Sequence, residues 1–296
     1  QALGHTVFGC DIYPREWTAL AGELAFFQAR LATEGEPYVE QLKEAVRRDG
    51  LDFLIPLTDP EVDALAPRKA EFRALGCTVC VPEERVAALC RRKDKMNRFL
   101  AEKQVCRLIP TESAVPGQPC PFPFPVMIKP RSGRSSMGQA VAADEKNYQT
   151  ALAGREDCIV QPFLEGAVFC VDVARDNAGH IRAAARQELL RNKSGLGMTV
   201  EVLPGHPLEA VCAAIAEAIG LVGVVNMEFI RHGDEFFFLE VNPRFSGGLG
   251  FSMAAGMDFA EMMLLCHSGG SVEAFPAAPK HALLARESQI ILTKQL

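Results

Sequence analysis

The 296-residue sequence predicts a mixed α/β fold in which a small doubly wound unit precedes a longer region of hairpin-connected strands. Strand-like and helix-like segments alternate over residues 1 to about 90, which is typical of parallel strands joined by helices. Six prolines from Pro110 to Pro125 then mark a loop-rich passage that leads into a new unit. Beyond it, apolar runs are separated by glycine-containing turns, which favours hairpins. A chain of this length can bury a sizeable core and is expected to form two or three subdomains.

The N-terminal unit alternates predicted strands and helices. Strands are predicted over Gly4–Ile12, Asp52–Leu57 and Gly76–Val81, and helices over Tyr38–Arg48 and Glu61–Leu75. The middle strand is a continuous apolar run, as expected for a parallel strand covered on both faces. The first segment resembles the second strand of a doubly wound unit, so we expect a preceding strand and glycine turn to be missing through truncation or processing. Without a G-x-G-x-x-G motif, nothing in this unit predicts dinucleotide binding.

Charge and composition argue against several classes of function. The net charge of −6 and the lack of a long basic run give no support for nucleic-acid binding. No apolar run approaches the ~20 residues of a membrane-spanning helix, and the N-terminus has no signal-peptide pattern. The ten cysteines are scattered, and Cys77 and Cys80 share a predicted strand rather than a zinc or redox turn. The sequence therefore predicts free thiols in a reducing compartment, the cytoplasm.

A lysine-bearing strand and a Gly/Ser-rich loop form the first candidate binding feature. The predicted strand Pro125–Pro130 carries Lys129 near its end and runs into the loop Arg131–Gly138. Backbone N–H groups of such a loop, together with a lysine ammonium, suit a phosphate group. The spacing is not that of a G-x-x-x-x-G-K-[ST] loop, so a simple hairpin turn is the alternative. A helix over Glu83–Val105, with Asp94-Lys95 in its middle, is predicted upstream.

The remaining predicted elements are strands and two helices. A tight hairpin is predicted at residues 177–179. The strands are Asp157–Gly166, Val168–Ala174, His180–Leu190 and Val222–Ile230, and the helices are Pro207–Leu221 and Met257–His267.

The second candidate feature is the run Phe236–Gly248, which begins as an aromatic strand. Glu240, Asn242 and Arg244 occupy alternate positions, so their side chains point to one face. Pro243 and the glycines end the strand, which places this polar row at its exit into a loop. Buried charged groups are costly unless they are paired, and carboxylate and amide oxygens suit a hard cation such as Mg²⁺.

The preceding strand adds polar groups when the hairpin pairs Phe229 with Phe237. In this register Met227, Phe229, Phe237, Leu239 and Val241 share an apolar face, and the opposite face holds Asn226, Glu228, Glu240 and Asn242. A one-residue slip would separate the two glutamates, so the pattern favours this pairing. Like charges on neighbouring strands destabilise a sheet. The cluster therefore predicts a magnesium site, with a solvated acidic edge as the alternative.

The order of these motifs resembles the ATP-grasp superfamily, and within it most closely the carbamoyl-phosphate-synthase-like ATP-grasp ligases. The resemblance covers nearly the whole chain and implies a pre-ATP-grasp domain over residues 1–90, with ATP-grasp subdomains over 91–190 and 191–296. The motifs that carry it are Asp94-Lys95, Ile128-Lys129-Pro130, Ser132–Gly138, Gln161–Gly166, Asn226-x-Glu228 and Glu240-x-Asn242-Pro-Arg244.

The resemblance implies a ligase that uses ATP and Mg²⁺, or alternatively Mn²⁺, to convert a carboxylate to an acyl phosphate and join it to an amine or other nucleophile. Arg244 would be catalytic, steadying the transferred phosphoryl group. Glu228, Glu240 and Asn242 would hold the metal. The implied ATP-binding residues are Lys95, Lys129, Ser132, Gly133, Ser135, Ser136, Met137, Gly138, Gln161, Phe163 and Leu164.

Two positions depart from the family pattern. Val168 stands where such ligases often carry a glutamate for the ribose hydroxyls, with Glu165 and Asp172 as candidate substitutes, and Pro162 follows Gln161. There are two alternatives to a ligase. The chain could be half of a split carbamoyl-phosphate-synthase-like assembly, or a degenerate nucleotide-binding module without turnover. We expect small-molecule carboxylate and amine substrates and neither nucleic acid nor membrane as partner. A homo-oligomer is one open option.

Overall fold

The computed structural model describes residues 4–19, 24–133, 137–193, 195–288, 290–293 and 295, and it confirms the expected mixed α/β architecture. The N-terminal part consists of short parallel strand pairs and helices. Its elements are β1 (Phe8–Asp11), β2 (Ala25–Gln28), α1 (Glu36–Asp49), β3 (Phe53–Leu54), α2 (Asp59–Leu65), α3 (Lys69–Ala74) and β4 (Thr78–Val79). β1 pairs with β2, and β3 pairs with β4.

The predicted continuous helix over Glu61–Leu75 is wrong, because α2 and α3 are separated by a short turn at Ala66–Arg68. Pro67 lies in this turn and has no backbone N–H to continue an α-helical hydrogen-bond ladder. The helix α2 begins with a capping box between Thr58 and Glu61. This cap fixes the start of α2, where Asp59 lies.

The predicted helix over Glu83–Val105 is also interrupted. It consists of α4 (Glu84–Arg91) and α5 (Lys93–Lys103), separated at Arg92, whose backbone is extended (φ −110°, ψ 96°). The break frees the Lys93 N–H to donate to the Arg131 carbonyl at 3.0 Å. The first turn of α5 is thereby tied to the start of the Gly/Ser loop.

The smaller sheet follows the proline-rich passage and has the strand order β5-β8-β6-β7. Its elements are β5 (Glu112–Ala114), β6 (Val126–Pro130), β7 (Ala140–Ala142), α6 (Glu145–Leu152) and β8 (Cys158–Pro162). One face packs on α6 through Ile128, Val160 and Leu152. Because Met127 pairs with Gln161 and Lys129 pairs with Ile159, Lys129 and Gln161 share the opposite face.

The larger sheet has the strand order β13-β12-β9-β10-β11-β14, with antiparallel pairing throughout. The three-part division of the chain stays a prediction, and this sheet favours a second boundary before residue 167 rather than at 190, because β9 and β10 pair with later strands. The elements are β9 (Ala167–Arg175), β10 (Ile181–Arg191), β11 (Gly197–Val202), α7 (Pro207–Ile219), β12 (Gly223–His232), β13 (Glu235–Asn242), α8 (Leu249–Ala254), α9 (Phe259–Ser268) and β14 (Ala282–Ala285).

The two faces of the larger sheet are covered differently. One face packs against α4, α5 and α7 in the largest hydrophobic cluster. On the other face, α9 covers the end that carries Ala174, Ala184 and Val224. Two residues further along the strands, on the same face, the side chains become polar, beginning with Asp172 and Arg186. This polar end borders a cleft. In the described part of the chain, no helix is long and apolar enough to cross a bilayer.

The hairpin of β12 and β13 differs in register from the prediction. Phe229 pairs with Phe238 rather than Phe237, and a bulge after Glu228 shifts the pairing by one further residue, so that Glu228 lies opposite Glu240. The bulge turns Phe238 into the core, where it is 2% exposed, whereas Phe237 and Leu239 are half-buried. Beyond the bulge, the polar residues keep their predicted common face.

Candidate active site

The predicted polar cluster is present at the open end of the larger sheet. Glu228 lies directly opposite Glu240, and Asn226 lies directly opposite Asn242. The Asn242 Nδ2 atom is 3.4 Å from Glu228 Oε1, 3.4 Å from Glu240 Oε1 and 3.5 Å from Asn226 Oδ1. One amide therefore bridges both carboxylates.

The two glutamates do not share the same electrostatic environment. Burial, together with the neighbouring Glu240 carboxylate, raises the pKa of Glu228 to about 7. Burial also acts to raise the pKa of Glu240, but the Lys93 and Lys129 ammonium groups hold it below its ordinary value. Burial lowers the pKa of Lys129 to about 8. The site therefore opposes a second negative charge until a cation compensates it.

Glu228, Glu240 and Asn242 form a donor set that suits Mg²⁺, which prefers carboxylate and carbonyl oxygens. The Glu228 and Glu240 carboxylates each lie 3.4 Å from the Asn242 Nδ2 atom, and burial and the Glu240 carboxylate together raise the pKa of Glu228 to about 7. Asn242 presents its nitrogen to both, so metal binding requires its amide to turn and offer Oδ1. Among the described residues, no group of three or more His, Cys, Asp or Glu side chains could hold a metal ion, so this site offers two carboxylates and an amide.

Lys93, which the sequence did not single out, is the lysine that contacts this cluster. Its Nζ atom is 3.1 Å from Glu240 Oε2 and 3.4 Å from the Gly133 carbonyl. Lys95, which was predicted to contact the phosphates of ATP, is exposed on α5. Lys129 is buried on β6, and its ammonium group acts to lower the pKa of Glu240. The structure thus brings Lys93 and Lys129 to the carboxylates.

Arg244 emerges beside the carboxylates, as predicted, and is held by a residue of the N-terminal part. Its Nη2 donates to Asp59 Oδ2 at 3.1 Å, and its Nη1 donates to the Phe245 carbonyl at 3.0 Å. Asp59 is 2% exposed, and its Oδ1 lies 3.7 Å from Arg91 Nη1. Asp59 was missed because nothing in its local sequence indicates a partner 185 residues away.

The Gly/Ser loop is described at both ends. Gly133 contacts Lys93 and Arg91 through its carbonyl, and Gly138 has a left-handed backbone (φ +71°). Ser132 precedes Gly133, and Met137 is exposed. Ser135 and Ser136 lie outside the described residues.

The residues predicted to line the adenine pocket lie around the end of β8. Gln161 is 3% exposed and donates from Nε2 to Thr111 Oγ1 at 2.8 Å. The Phe163 N–H is already bonded to the Pro125 carbonyl at 3.0 Å, so it is occupied within the chain. Leu164 is half-buried beside it. Gln161 lies on the same face of the smaller sheet as Lys129, which connects this region to the carboxylates.

The sequence also missed a buried ion pair beside the site. Arg186 is 1% exposed, and its Nη1 donates to Asp172 Oδ2 at 2.5 Å while its Nη2 donates to Ser246 Oγ at 2.8 Å. Asp172 is therefore engaged in the sheet and not placed to bind a ribose. A charged residue in the middle of the predicted strand His180–Leu190 was the available signal, because a buried guanidinium requires a partner.

The carboxylate cluster, Arg244 and Arg186 border a cavity of about 760 Å³. Its lining comes from the larger sheet, from residues 57–59 of the N-terminal part and from the loop 245–249. Glu228, Glu240, Asn242 and Arg244 are among the residues that line it. The cavity volume is in the range of small-molecule sites.

A family model described as "ATP-grasp in the biosynthetic pathway with Ter operon" matches residues 154–290, a little under half of the chain. This match and the shared fold support the resemblance to ATP-grasp ligases seen in the sequence.

The chain is also similar to a formate-dependent phosphoribosylglycinamide formyltransferase of Synechococcus sp. strain CC9605. The two are 27% identical over 326 aligned positions, which cover 99% of this chain and 76% of the relative. The chain spans 64% or 65% of the length of three further relatives with the same name.

Two solved structures share the fold at 16% identity. The biotin carboxylase of Campylobacter jejuni, in its complex with β-γ-ATP, has a TM-score of 0.75, and the match covers 95% of this chain and 70% of that chain. The biotin carboxylase domain dimer of Hydrogenobacter thermophilus 2-oxoglutarate carboxylase, bound to MgADP, ADP and bicarbonate, has a TM-score of 0.71 with coverages of 92% and 66%.

Proposed function

We propose that the protein is an ATP- and Mg²⁺-dependent ligase that activates a carboxylate as an acyl phosphate and joins it to an amine. The observation that carries the proposal is the position of Glu228, Glu240 and Asn242 beside Lys93 and Lys129. Acidic oxygens for a divalent cation and ammonium groups for phosphate are both needed for phosphoryl transfer. The names of the similar proteins, with formate, bicarbonate, ATP and MgADP in them, support the same reaction class.

The metal-binding residues in this proposal are Glu228, Glu240 and Asn242. Bound Mg²⁺ would supply charge neutralisation and orientation of the phosphoryl oxygens. Lys93 and Lys129 reach the same point from α5 and β6, so they are placed to neutralise phosphate oxygens that approach the carboxylates. The Ser132–Gly138 loop would cover the phosphates, and Gln161, Phe163 and Leu164 would border the base.

The reaction consists of two substitutions. A carboxylate oxygen attacks the γ-phosphorus of ATP, and the bond from that phosphorus to the leaving ADP oxygen breaks, which gives an acyl phosphate. The amine nitrogen then attacks the acyl carbon, phosphate leaves, and the nitrogen loses a proton to form the amide. Arg244, whose guanidinium donates to Asp59, would hold the developing negative charge in both steps.

The assignment is tested by measuring ADP release with a panel of carboxylates and amines. We expect release to require Mg²⁺ or Mn²⁺ and one class of substrate pair. Glu240→Gln should lower the rate by about 100-fold or more while the circular dichroism spectrum stays unchanged. Glu156→Gln, an exposed glutamate, is the matched control and should keep full activity.

Other outcomes would point elsewhere. Full ADP release from Glu240→Gln would overturn the metal assignment. ATP cleavage that depends on bicarbonate alone would favour half of a split carbamoyl-phosphate-synthase-like assembly. No ADP release by the wild-type protein with any pair would favour a nucleotide-binding module without turnover.

Two further proposals concern the cellular location and the oligomeric state of the protein. A cytoplasmic location is proposed from the scattered cysteines, all ten of which are free. A homo-oligomer is proposed because the Hydrogenobacter thermophilus domain is named as a dimer. Light scattering of the purified protein would test the second proposal.

A further inference from the structure

We infer that Arg186 and Asp172 are positioning residues of the candidate active site, and that this buried ion pair fixes the site from two sides. On one side the pair orients the Asn226 amide, so that its carbonyl oxygen faces the two carboxylates of the site. On the other side it holds Ser246 in the loop that follows Arg244. Both roles rest on the proposed function, because they serve its cation site and its proposed catalytic arginine.

Three polar side chains lie side by side across neighbouring strands of the larger sheet. Asn242 on β13 is directly opposite Asn226 on β12, and Asn226 is directly opposite Asp172 on β9. Directly opposed residues of antiparallel strands project from the same face, so the three form one row. Arg186 on β10 reaches the end of this row, where its Nη1 atom donates to Asp172 Oδ2 at 2.5 Å. The row therefore connects the buried ion pair to the strand that carries the metal-binding residues of the proposed site.

The surroundings of the Asn226 amide determine which way it points. Its Nδ2 atom is 3.2 Å from Asp172 Oδ1 and 3.4 Å from the Val171 carbonyl oxygen. Carboxylate and backbone carbonyl oxygens only accept hydrogen bonds, so the NH₂ group of the amide belongs on this side. Its Oδ1 atom then lies on the side of Asn242, 3.5 Å from Asn242 Nδ2. Asn226 is 1% exposed, so the protein rather than bulk water sets this orientation.

The Asn226 oxygen adds to the oxygens of the two glutamates. Asn242 Nδ2 lies 3.4 Å from one oxygen each of Glu228 and Glu240. The same nitrogen lies 3.5 Å from Asn226 Oδ1, so three acceptor oxygens surround one donor, an arrangement that also suits a cation. Asn242 must turn to offer an oxygen, whereas Asn226 already presents one. Asp172 therefore acts as an outer partner that orients an oxygen toward the cation site.

The other end of the ion pair holds the loop that follows Arg244. Arg186 Nη2 donates to Ser246 Oγ at 2.8 Å. A Cβ atom on Gly248 would lie 2.8 Å from Arg186 Nη2 and 2.9 Å from its Nε atom, so the loop backbone passes close to the guanidinium. Ser246 is two residues after Arg244, whose Nη1 donates to the intervening Phe245 carbonyl at 3.0 Å. A shift of this loop would therefore move the groups that hold Arg244.

The directed hydrogen bonds of a guanidinium allow one pair to serve both sides. The group is planar and its N–H donors have fixed directions. Its Nη1 faces Asp172 and its Nη2 faces Ser246. Replacing a buried ion pair by apolar residues of similar volume is often neutral or stabilising, so stability alone gives little reason for charges at this position. Orientation of Asn226 and Ser246 supplies that reason.

The double variant Arg186→Met/Asp172→Leu separates a positioning role from a structural one. It removes both buried charges, so the variant should keep much of its stability, whereas Asn226 and Ser246 lose their partners. In calorimetric titration of the nucleotide-free protein with Mg²⁺, we expect an affinity at least about tenfold weaker than that of the wild type. The kcat for ADP release should also fall by about tenfold or more. A pair with only a structural role would leave both quantities unchanged in the folded variant.

Single substitutions test the two sides one at a time, with circular dichroism as the check of folding. Asn226→Ala should weaken Mg²⁺ binding by about tenfold, because it removes the oriented oxygen. Ser246→Ala should lower kcat by about tenfold while Mg²⁺ affinity stays unchanged, because it affects only the loop. Ser271→Ala is the matched control. Ser271 donates to the buried Asp176 at 3.0 Å but is not among the described residues that line the cavity, so this variant should keep both values.

The positioning role and the ligase function fail separately. Wild-type Mg²⁺ affinity and kcat in the folded double variant would overturn the positioning role and leave the ligase function standing. If the double variant does not fold, wild-type Mg²⁺ affinity in Asn226→Ala would overturn the cation side, and wild-type kcat in Ser246→Ala would overturn the loop side. No ADP release by the wild-type protein would overturn the ligase function, and the Mg²⁺ titrations would still decide whether the pair prepares the cation site. No Mg²⁺ binding by the wild-type protein would overturn the metal assignment together with the cation side.

Discussion

Asp59 accepts a hydrogen bond from Arg244 at 3.1 Å, which joins the first turn of α2 to the loop that follows β13. Asp59 is 2% exposed, and Arg91 approaches its other oxygen at 3.7 Å. Arg91 in turn donates to the Gly133 carbonyl at the start of the Gly/Ser loop. One buried carboxylate therefore connects the arginine at the site to the segment expected to cover the phosphates.

Asp59→Asn tests whether this carboxylate positions Arg244. Loss of the charge should release the guanidinium from its fixed orientation, and we expect kcat to fall by about 100-fold with a much smaller change in KM for ATP. Asp63→Asn is the control, because Asp63 also pairs with Arg91 but is farther from Arg244 in the ion-pair chain. Equal kcat values for Asp59→Asn and the wild type would show that Arg244 needs no such support.

The structure and the sequence indicate different lysines of α5 as the contact for the phosphates of ATP: the structure indicates Lys93, and the sequence indicated Lys95. Lys93 contacts Glu240, whereas Lys95 is exposed. We expect Lys93→Ala to raise the KM for ATP by about tenfold or more, because it removes a charge next to the phosphates, while Lys95→Ala should have a smaller effect. Steady-state kinetics of the two variants provides the measurement. A larger effect at Lys95 would restore the assignment made from the sequence.

The contrast between these lysines shows what the sequence could and could not predict. The polar face of the hairpin was predictable, because alternation along a strand is local and the glutamates must lie together. The predicted partner of Phe229 was wrong because local alternation does not specify the turn that pairs His232 with Glu235, nor the bulge after Glu228. Lys93 reaches the site only because Arg92 interrupts the helix, which no periodicity indicated.

Long-range partners were beyond the sequence for a different reason. Asp59 follows a threonine N-cap, and its local pattern is fully explained by the start of a helix. Its contact with Arg244 depends on how the N-terminal part lies against the larger sheet. Arg186 offered a clearer signal, since a charge inside an apolar strand requires a buried partner.

The raised pKa of Glu228 predicts how the stability of the protein and its affinity for Mg²⁺ depend on pH. Its pKa is raised from its ordinary value to about 7, so between pH 4.5 and 7 the folded protein binds more protons than the unfolded chain. The free energy of unfolding should therefore fall as pH rises through this window when no metal is present. Because the metal requires the deprotonated carboxylate, Mg²⁺ affinity should rise over the same window and level off above it.

Urea denaturation and calorimetric Mg²⁺ titration at pH 5, 6, 7 and 8 would measure both effects. Glu228→Gln removes the titrating group, so this variant should show a flatter dependence of stability on pH and weak Mg²⁺ binding throughout. If the stability of the wild-type protein increased from pH 5 to 7, and this increase were absent in Glu228→Gln, the raised pKa of Glu228 would be contradicted. An increase of the same size in both proteins would come from other titrating groups.

The pair Arg186–Asp172 predicts a large energetic coupling. Both side chains are about 1% exposed, and Ser252 donates to the same Asp172 oxygen at 2.7 Å. Arg186→Met should lower the free energy of unfolding by about 3–5 kcal/mol, because it leaves a buried carboxylate without its counter-ion. Adding Asp172→Leu removes that charge, so the double variant should regain at least half of the loss. Chemical denaturation of the wild type, both single variants and the double variant completes the cycle. Additive losses would mean that the two side chains stabilise the sheet independently and that the ion pair is not what orders this end of the cleft.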